Sequence, residues 1–118
     1  MYNAEKGIEI ETIKADTIYD GVIVNVEDGN VKKFITEVEK WKGSLEQSAI
    51  NVWMEVKQGK QTFKCNQIFT YNENKDGYTE YSPKSNLGKF FRKYAGLPKL
   101  FMKVKLLSDS EGYLKLML

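Results

Sequence analysis

The side chains in this sequence that could do chemistry are mainly aromatic and basic, and their spacing suits binding. Residues 49–57 alternate between apolar and polar, which places Trp53 on a mostly polar face together with Lys57. An indole can stack on a nucleobase and a neighbouring lysine can neutralise a phosphate, and these are the two contacts that single-strand binding requires. The candidate binding residues are Trp53, Lys57, Lys64, Asn66, Tyr71, Lys103 and Lys105.

Each of these assignments has a structural alternative. Trp53 could pack beneath a neighbouring segment, and Tyr71 could be a half-buried packing residue, as strand tyrosines often are. Lysines at alternate positions of a strand, such as Lys103 and Lys105, also protect a sheet edge against pairing with another chain. Binding and packing therefore both stay open as interpretations of these residues.

Acid–base and metal chemistry are poorly supported by the composition. The chain has no histidine, which removes the usual general base near neutral pH and most transition-metal sites. Its single cysteine, Cys65, has no partner for a disulfide. Carboxylates such as Asp16, Asp20 and Glu27 show no spacing that would place a metal or a catalytic pair. We expect a protein that is not an enzyme and that uses no cofactor and no metal.

Charge is distributed unevenly along the chain. The formal net charge is only +2. Residues 1–46 carry 6 lysines and 10 carboxylates, a balance of −4, whereas residues 47–118 carry 12 basic and 6 acidic residues, a balance of +6. The second part is therefore the candidate surface for a polyanion, although lysines that merely solvate strand and helix faces would give the same balance.

The first half of the chain predicts strands interrupted by one helical segment. Residues 7–27 form one long strand or two strands separated by a bend, with Val22, Val24 and Val26 on the inner face and Gly21 at a bulge or sharp coil. Residues 30–42 change to helical spacing, with Asn30 as a cap. This helix would lie in an insertion at about 30–46, between the first two barrel strands.

The second half predicts a hairpin, a helix and two more strands. Strands at 49–57 and 61–71 are joined by a short turn, and a bulge near residues 66–67 would explain why the alternation becomes ambiguous there. A helix capped by Ser85 ends at Gly96, with Leu87 and Phe90 on its apolar face. The inner faces of the last two strands are Met102, Val104 and Leu106, and then Leu114, Leu116 and Leu118.

The resulting order, β1-(α)-β2-β3-α-β4-β5, is that of the OB-fold, a partly open five-stranded barrel that commonly binds single strands. Residues 82–90 (SPKSNLGKF) and 94–99 (YAGLPK), followed by Met102-Lys103-Val104, resemble OB-fold single-stranded-DNA-binding-like proteins of phage and archaeal type. This chain departs from them in having Phe101 where a glycine is common. The resemblance implies an all-β barrel with one or two short helices and a binding face on the second and third strands.

From these features we expect residues 1–118 to form a single OB-fold domain that binds single-stranded nucleic acid, DNA or RNA, without catalysis. The alternative is a protein–protein interaction adaptor on the same fold. The absence of an apolar N-terminal run and of any membrane-length segment predicts a cytoplasmic protein that does not bind membranes. Further expected partners are a second copy of the chain, in a homo-oligomer, or a replication or repair protein.

Overall fold

Strands dominate the computed structural model, which describes residues 12–118. Residues 7–11 of the predicted first strand lie outside the described residues. The elements, in chain order, are β1 (Ile18–Asn30), α1 (Val31–Phe34), a 3-10 turn (Val38–Lys40), β2 (Ser48–Gln58), β3 (Gln61–Thr70), β4 (Asn72–Glu73), β5 (Thr79–Glu80), α2 (Asn86–Tyr94), β6 (Lys103–Ser108) and β7 (Leu114–Leu116).

Five of these strands form one sheet in the order β3-β2-β1-β6-β7, with every hydrogen-bonded neighbour antiparallel. The outermost strands, β3 and β7, contact each other, so the sheet nearly closes on itself. Four antiparallel pairings separate these two strands in the sheet order, so the two strands run in the same direction. The predicted mostly-β, OB-like barrel is confirmed, and the small β4–β5 hairpin is added beside it.

Strand β1 is the central element because it pairs with two partners in turn. Its first part, Ile18–Val22, pairs with β6, and its longer second part pairs with β2. The change occurs beside Gly21, where a Cβ atom would lie only 2.4 Å from Leu106 Cδ1 and 3.2 Å from the Glu55 carbonyl oxygen. Only a glycine lets three strands approach so closely, which fits the sharp coil predicted there.

The predicted inner face of β1 was wrong at Val22 and Val24. The register shifts between Ile23 and Asn25, so one extra residue interrupts the alternation. Ile23 is consequently fully buried, whereas Val22 and Val24 are only partly buried, and Val26 packs on the core from the other side of the shift. Of the two alternatives predicted for Gly21, a bulge or a sharp coil, the bulge therefore lies three residues further along the chain.

The inner faces predicted for β2 and β6 are confirmed. Val52 and Met54 are buried, as are Val104 and Leu106, while Ile50 and Met102 pack on the core at its margins. Ladder β2–β3 runs without interruption from Gln58–Gln61 to Ala49–Thr70, so the predicted bulge near residues 66–67 is absent. Phe69 is therefore inside, and Ile68 lies on the outer face opposite Asn51.

The insertion after β1 contains less helix than predicted. Asn30 caps α1 as expected, since its Oδ1 accepts a hydrogen bond from Lys33 N at 3.0 Å. The helix ends after one turn because Ile35 is extended, with φ −91° and ψ 139°. α1 then packs on β1, β2 and β3 at one end of the barrel.

Helix α2 covers the barrel interior through Leu87 and Phe90, which are buried, and the Phe90 ring meets Phe69 edge-on at 5.7 Å between centroids. Ser85 caps it as predicted, with Oγ accepting from Gly88 N at 3.1 Å. The helix ends one residue before the predicted stop, because Ala95 itself takes the left-handed conformation, with φ 54°.

Candidate nucleic-acid interface

The outer face of the barrel is a set of side-chain rows that cross the strands. One row joins Lys64 on β3, Glu55 on β2, Val22 on β1 and Lys103 on β6, each paired in register with the next. Because neighbouring strands lie about 4.8 Å apart, this row spans roughly 14 Å. Lysines therefore stand at both ends of the row, with a carboxylate between them.

Trp53 lies on this face, half-buried, between Asn25 on β1 and Asn66 on β3. Its Nε1 donates a hydrogen bond to Glu27 Oε1 at 2.6 Å. The short distance to a charged acceptor indicates a charge-assisted bond that orients the indole. Trp53 is thus held in a defined position on the polar face to which the sequence assigned it.

The insertion covers one end of the face and leaves the rest open. Ala49 and Asn51 point outward with Trp53, yet they are 0% and 4% exposed. Phe34 of the insertion lies over Gly29, which pairs with Ala49, so α1 accounts for this burial. Exposure returns at Trp53 and continues along Glu55 and Lys57 toward the far end of β2.

The four candidate lysines are all exposed, but they differ in their partners. Lys64 Nζ lies 3.7 Å from Glu55 Oε1, and Lys105 forms an ion pair with Asp20. Among residues 12–118, neither Lys57 nor Lys103 has an ion-pair partner. The basic track predicted from the sequence is therefore interleaved with carboxylates, and only two of its lysines carry uncompensated charge.

A groove opens on the outer face where β1 passes from β2 to β6. Its volume is about 540 Å³, and its walls include Asp20, Val22, Glu55, Lys57 and Lys103. The uncompensated lysines, Lys57 and Lys103, thus line the same depression. This arrangement offers a ligand two cationic groups, two carboxylates and the apolar side chain of Val22.

Phe101 also lines the groove, and the sequence did not identify it as a candidate binding residue. Its side chain is 79% exposed, and its backbone is left-handed with φ 68°. The only signal in the sequence was the presence of phenylalanine at a position where the resembling proteins commonly have glycine. The left-handed backbone of Phe101, just before β6, is not a property that alternation predicts.

The structure brings Asn66 to the face and takes Tyr71 away from it. Asn66 is exposed and donates from Nδ2 to Asn51 Oδ1 at 2.9 Å. Tyr71 is only 7% exposed and donates its hydroxyl hydrogen to Asp28 Oδ1 at 2.7 Å. Burial, and then the hydrogen bond to the Asp28 carboxylate, raise the pKa of Tyr71 above its ordinary range. A tyrosine buried in the core has no ring face open to a base, so Tyr71 is not part of the interface.

A second cavity, of about 320 Å³, lies between the insertion and the β4–β5 hairpin, away from the outer face. Trp41, Gln47, Tyr71 and Tyr81 are among its lining residues. Gln47 Nε2 donates to the Tyr71 carbonyl oxygen and to Asn72 Oδ1, which joins the insertion to the start of the hairpin. Within residues 12–118, no lysine or arginine lines this cavity, so the described residues offer a phosphate no cationic side chain there.

Residues 12–118 contain no group of three or more carboxylates or thiols placed to hold a metal ion. Over the same residues, no helix has the length and apolar character needed to cross a bilayer.

Comparison with known proteins yields no relative: no family model, no curated protein and no solved structure matches the chain.

Proposed function

We propose that this barrel binds single-stranded nucleic acid, DNA or RNA, on its outer face and without catalysis. The observation that carries the proposal is the convergence of Lys57, Lys103 and an exposed aromatic side chain on one open groove, with Trp53 held on the same face. Single-strand binding by such barrels combines a basic groove for the backbone with aromatic side chains on which bases stack. The site needs no group that titrates near neutral pH.

Base stacking should contribute more to this binding than phosphate neutralisation. Asp20, Glu27 and Glu55 lie among the lysines and would repel a phosphate that approached them. Exposed ion pairs are worth only about 0–1 kcal/mol, so Lys64 and Lys105 can still reach a phosphate. Each of them would then leave its carboxylate partner behind, and the net electrostatic gain would be small.

Salt dependence measures this division directly. Four free lysines would give a slope of log affinity against log salt of about −3, whereas two give about −1.4. We expect the shallower slope, about −1.4, for an oligothymidylate. Among residues 12–118, only two of the four candidate lysines, Lys57 and Lys103, lack an ion-pair partner. A labelled oligonucleotide titrated by fluorescence anisotropy at several salt concentrations supplies the slope.

Lysine variants inside and outside the groove test whether the groove is the binding site. Lys57→Gln and Lys103→Gln should each weaken binding and reduce the slope by roughly 0.7. Lys89→Gln is the matched control, because Lys89 is exposed on α2 and lies outside the lining of the groove. Absence of binding to single strands, or a slope unchanged by the two groove variants, would reject the proposal.

A protein–protein adaptor remains the second candidate function. Leu97, Leu100 and Phe101 are 39%, 50% and 79% exposed within a single loop, which is an unusual concentration of apolar surface. An aromatic anchor surrounded by aliphatic side chains is a common centre of a protein interface. An adaptor would show no affinity for oligonucleotides at low salt, and the same titration separates the two functions. We also propose a cytoplasmic location, as expected for a sequence whose single cysteine has no partner for a disulfide.

A further inference from the structure

We infer that Phe101 is a second base-stacking residue, opposite Trp53 across β1, so that one single strand contacts an aromatic side chain on each side of that strand. The inference deepens the proposed function and rests on it. It adds a residue that neither the alternation of the strands nor the basic track identifies.

The backbone around Phe101 extends the β1–β6 ladder beyond the start of β6. Phe101 N donates to the Ile23 carbonyl oxygen at 2.8 Å, and Ile23 N donates to the Met102 carbonyl oxygen at 2.9 Å. These bonds fix Phe101 beside β1 at the level of the register shift. Trp53 is paired with Asn25 on the other side of β1 at the same level. Two strand spacings, roughly 10 Å, therefore separate the two residues across the face.

The stability of the fold does not explain a phenylalanine at position 101, for two reasons. A left-handed backbone is strained for a bulky residue, and glycine would adopt φ 68° without strain. The other non-glycine residues with positive φ within residues 12–118 are Asp16 and Ala95, which are short. The ring is also 79% exposed, so its apolar surface contributes little to the core. Strain of this kind concentrates at binding sites.

The surroundings of the ring favour a nucleobase as its occupant. Phe101 shares the groove with Lys57 and Lys103, whose ammonium groups suit the phosphates on either side of a stacked base. The groove also contains Asp20 and Glu55, so its charge is mixed, and stacking of the base on the ring has to supply most of the affinity there. The ring can contact any base, since every base has a π-face.

The test compares the wild-type protein with Phe101→Gly, Phe101→Tyr and Ala95→Gly. Binding is measured by anisotropy with an oligothymidylate of about 16 nucleotides, and with an abasic strand of equal length. Phe101→Gly should weaken binding to the oligothymidylate roughly 5- to 150-fold, the loss of one stacked base, and Phe101→Tyr should retain it. The melting temperature of Phe101→Gly should equal or exceed that of the wild type, because glycine relieves the backbone strain.

Two controls isolate stacking from backbone changes. Ala95→Gly relieves the same type of strain at the end of α2, outside the groove, and should leave affinity unchanged. On the abasic strand, the wild type and Phe101→Gly should bind equally, because no base is present to stack.

The possible failures are distinguishable. Wild-type protein that binds no single strand would overturn both the proposed function and the role of Phe101. Wild-type protein that binds normally, with Phe101→Gly unchanged, would overturn only the role of Phe101. Sedimentation without nucleic acid adds a third outcome: a dimer of the wild type that Phe101→Gly dissociates would assign the ring to a second copy of the chain and overturn its role in stacking.

Discussion

Trp53 combines the two properties that a stacking residue needs, a partly open ring and a fixed plane. The indole is half-buried on the outer face, and its hydrogen bond to Glu27 limits how the ring can turn. An aromatic side chain held in this way loses little conformational entropy when a base stacks on it. The bond also explains why a carboxylate stands in a face proposed to bind a polyanion.

Trp53→Ala should weaken binding to single strands by roughly 1–3 kcal/mol, the value of one stacked base. Its free energy of unfolding should fall by less than the roughly 3–5 kcal/mol expected for a fully buried tryptophan. Wild-type tryptophan fluorescence should be quenched by oligonucleotide, and that quenching should decrease in Trp53→Ala.

Glu27→Gln is the matched control for Trp53→Ala. Its amide oxygen can still accept from the indole, and removal of the negative charge should tighten binding at low salt. A large loss of stability in Trp53→Ala, with no quenching in the wild type, would make Trp53 a packing residue.

Period-two alternation was sufficient to predict which side chains face outward on β2, and on β3 as far as Asn66. Trp53, Lys57, Lys64 and Asn66 all lie on the outer face, because the β2–β3 ladder contains no irregularity. Phe101 could not be found in this way, since its exposure depends on a positive φ in a loop. Ion pairs between strands, such as Lys105 with Asp20, depend on a register that one sequence does not specify.

At the scale of elements, the chain order predicted the barrel. Local sequence signals, such as a glycine in a strand or helical spacing, did not predict where its irregularities lie. Glycine at residue 21 suggested a bulge, whereas the register shift falls between Ile23 and Asn25, among residues that favour regular strands. The helical spacing of residues 31–41 was genuine only as far as Phe34. Tertiary contacts override weak propensity in such short segments.

Gly88 shows how one element depends on close backbone approach. A Cβ atom at this position would lie 2.3 Å from the Ser82 carbonyl oxygen and 2.8 Å from Pro83 Cα. Both are backbone atoms and cannot move away as a flexible side chain would. Gly88→Ala should therefore displace α2 and lower the free energy of unfolding by roughly 1–3 kcal/mol in urea titrations.

Gly96→Ala is the control for Gly88→Ala, because a Cβ atom there would meet nothing within 4 Å. Its stability should stay within about 0.5 kcal/mol of the wild type. Equal stabilities for the two variants would mean that α2 does not pack against the segment around Pro83.

Helix α2 should also be essential as a cover for the barrel interior. Leu87 and Phe90 are 2% and 0% exposed. Leu87→Ala and Phe90→Ala should each lower the free energy of unfolding by roughly 2–5 kcal/mol, through lost burial and the cavity left behind. Phe91→Ala serves as the control, since Phe91 is 44% exposed on the same helix. Losses below about 1 kcal/mol for Leu87 and Phe90 would show that α2 is not docked on the core.

At the scale of the whole molecule, the uneven distribution of charge along the sequence produces only part of the basic surface that it predicts. Residues 1–46 carry the excess of carboxylates and residues 47–118 the excess of lysines. The barrel then places β1 between β2 and β6, so that Asp20 of the first part meets Lys105 of the second. Composition predicted the sign of the net charge of residues 47–118, but strand pairing determines how much of that charge remains uncompensated.

The folded molecule as a whole should lose stability on the alkaline side, because two of its weak acids are held neutral. Burial raises the pKa of Cys65 from 9.0 to about 11, and burial with the Asp28 hydrogen bond raises that of Tyr71. As pH rises above about 9, the unfolded chain loses these protons first and is stabilised relative to the fold. The stability contributed by the neutral groups is therefore fully present below pH 9 and is lost progressively through pH 11 and above.

Urea midpoints measured between about pH 8 and pH 10.5 should fall with pH in the wild type. Cys65→Ala should flatten the part of the curve that begins near pH 9, and Tyr71→Phe the part that begins near pH 10, each compared with its own value at pH 8. Tyr78→Phe is the control, because Tyr78 is 71% exposed. Its curve should follow the wild type, since an exposed side chain contributes little to the free energy of unfolding. If the double variant Cys65→Ala, Tyr71→Phe kept the full alkaline loss, groups other than these two would be responsible.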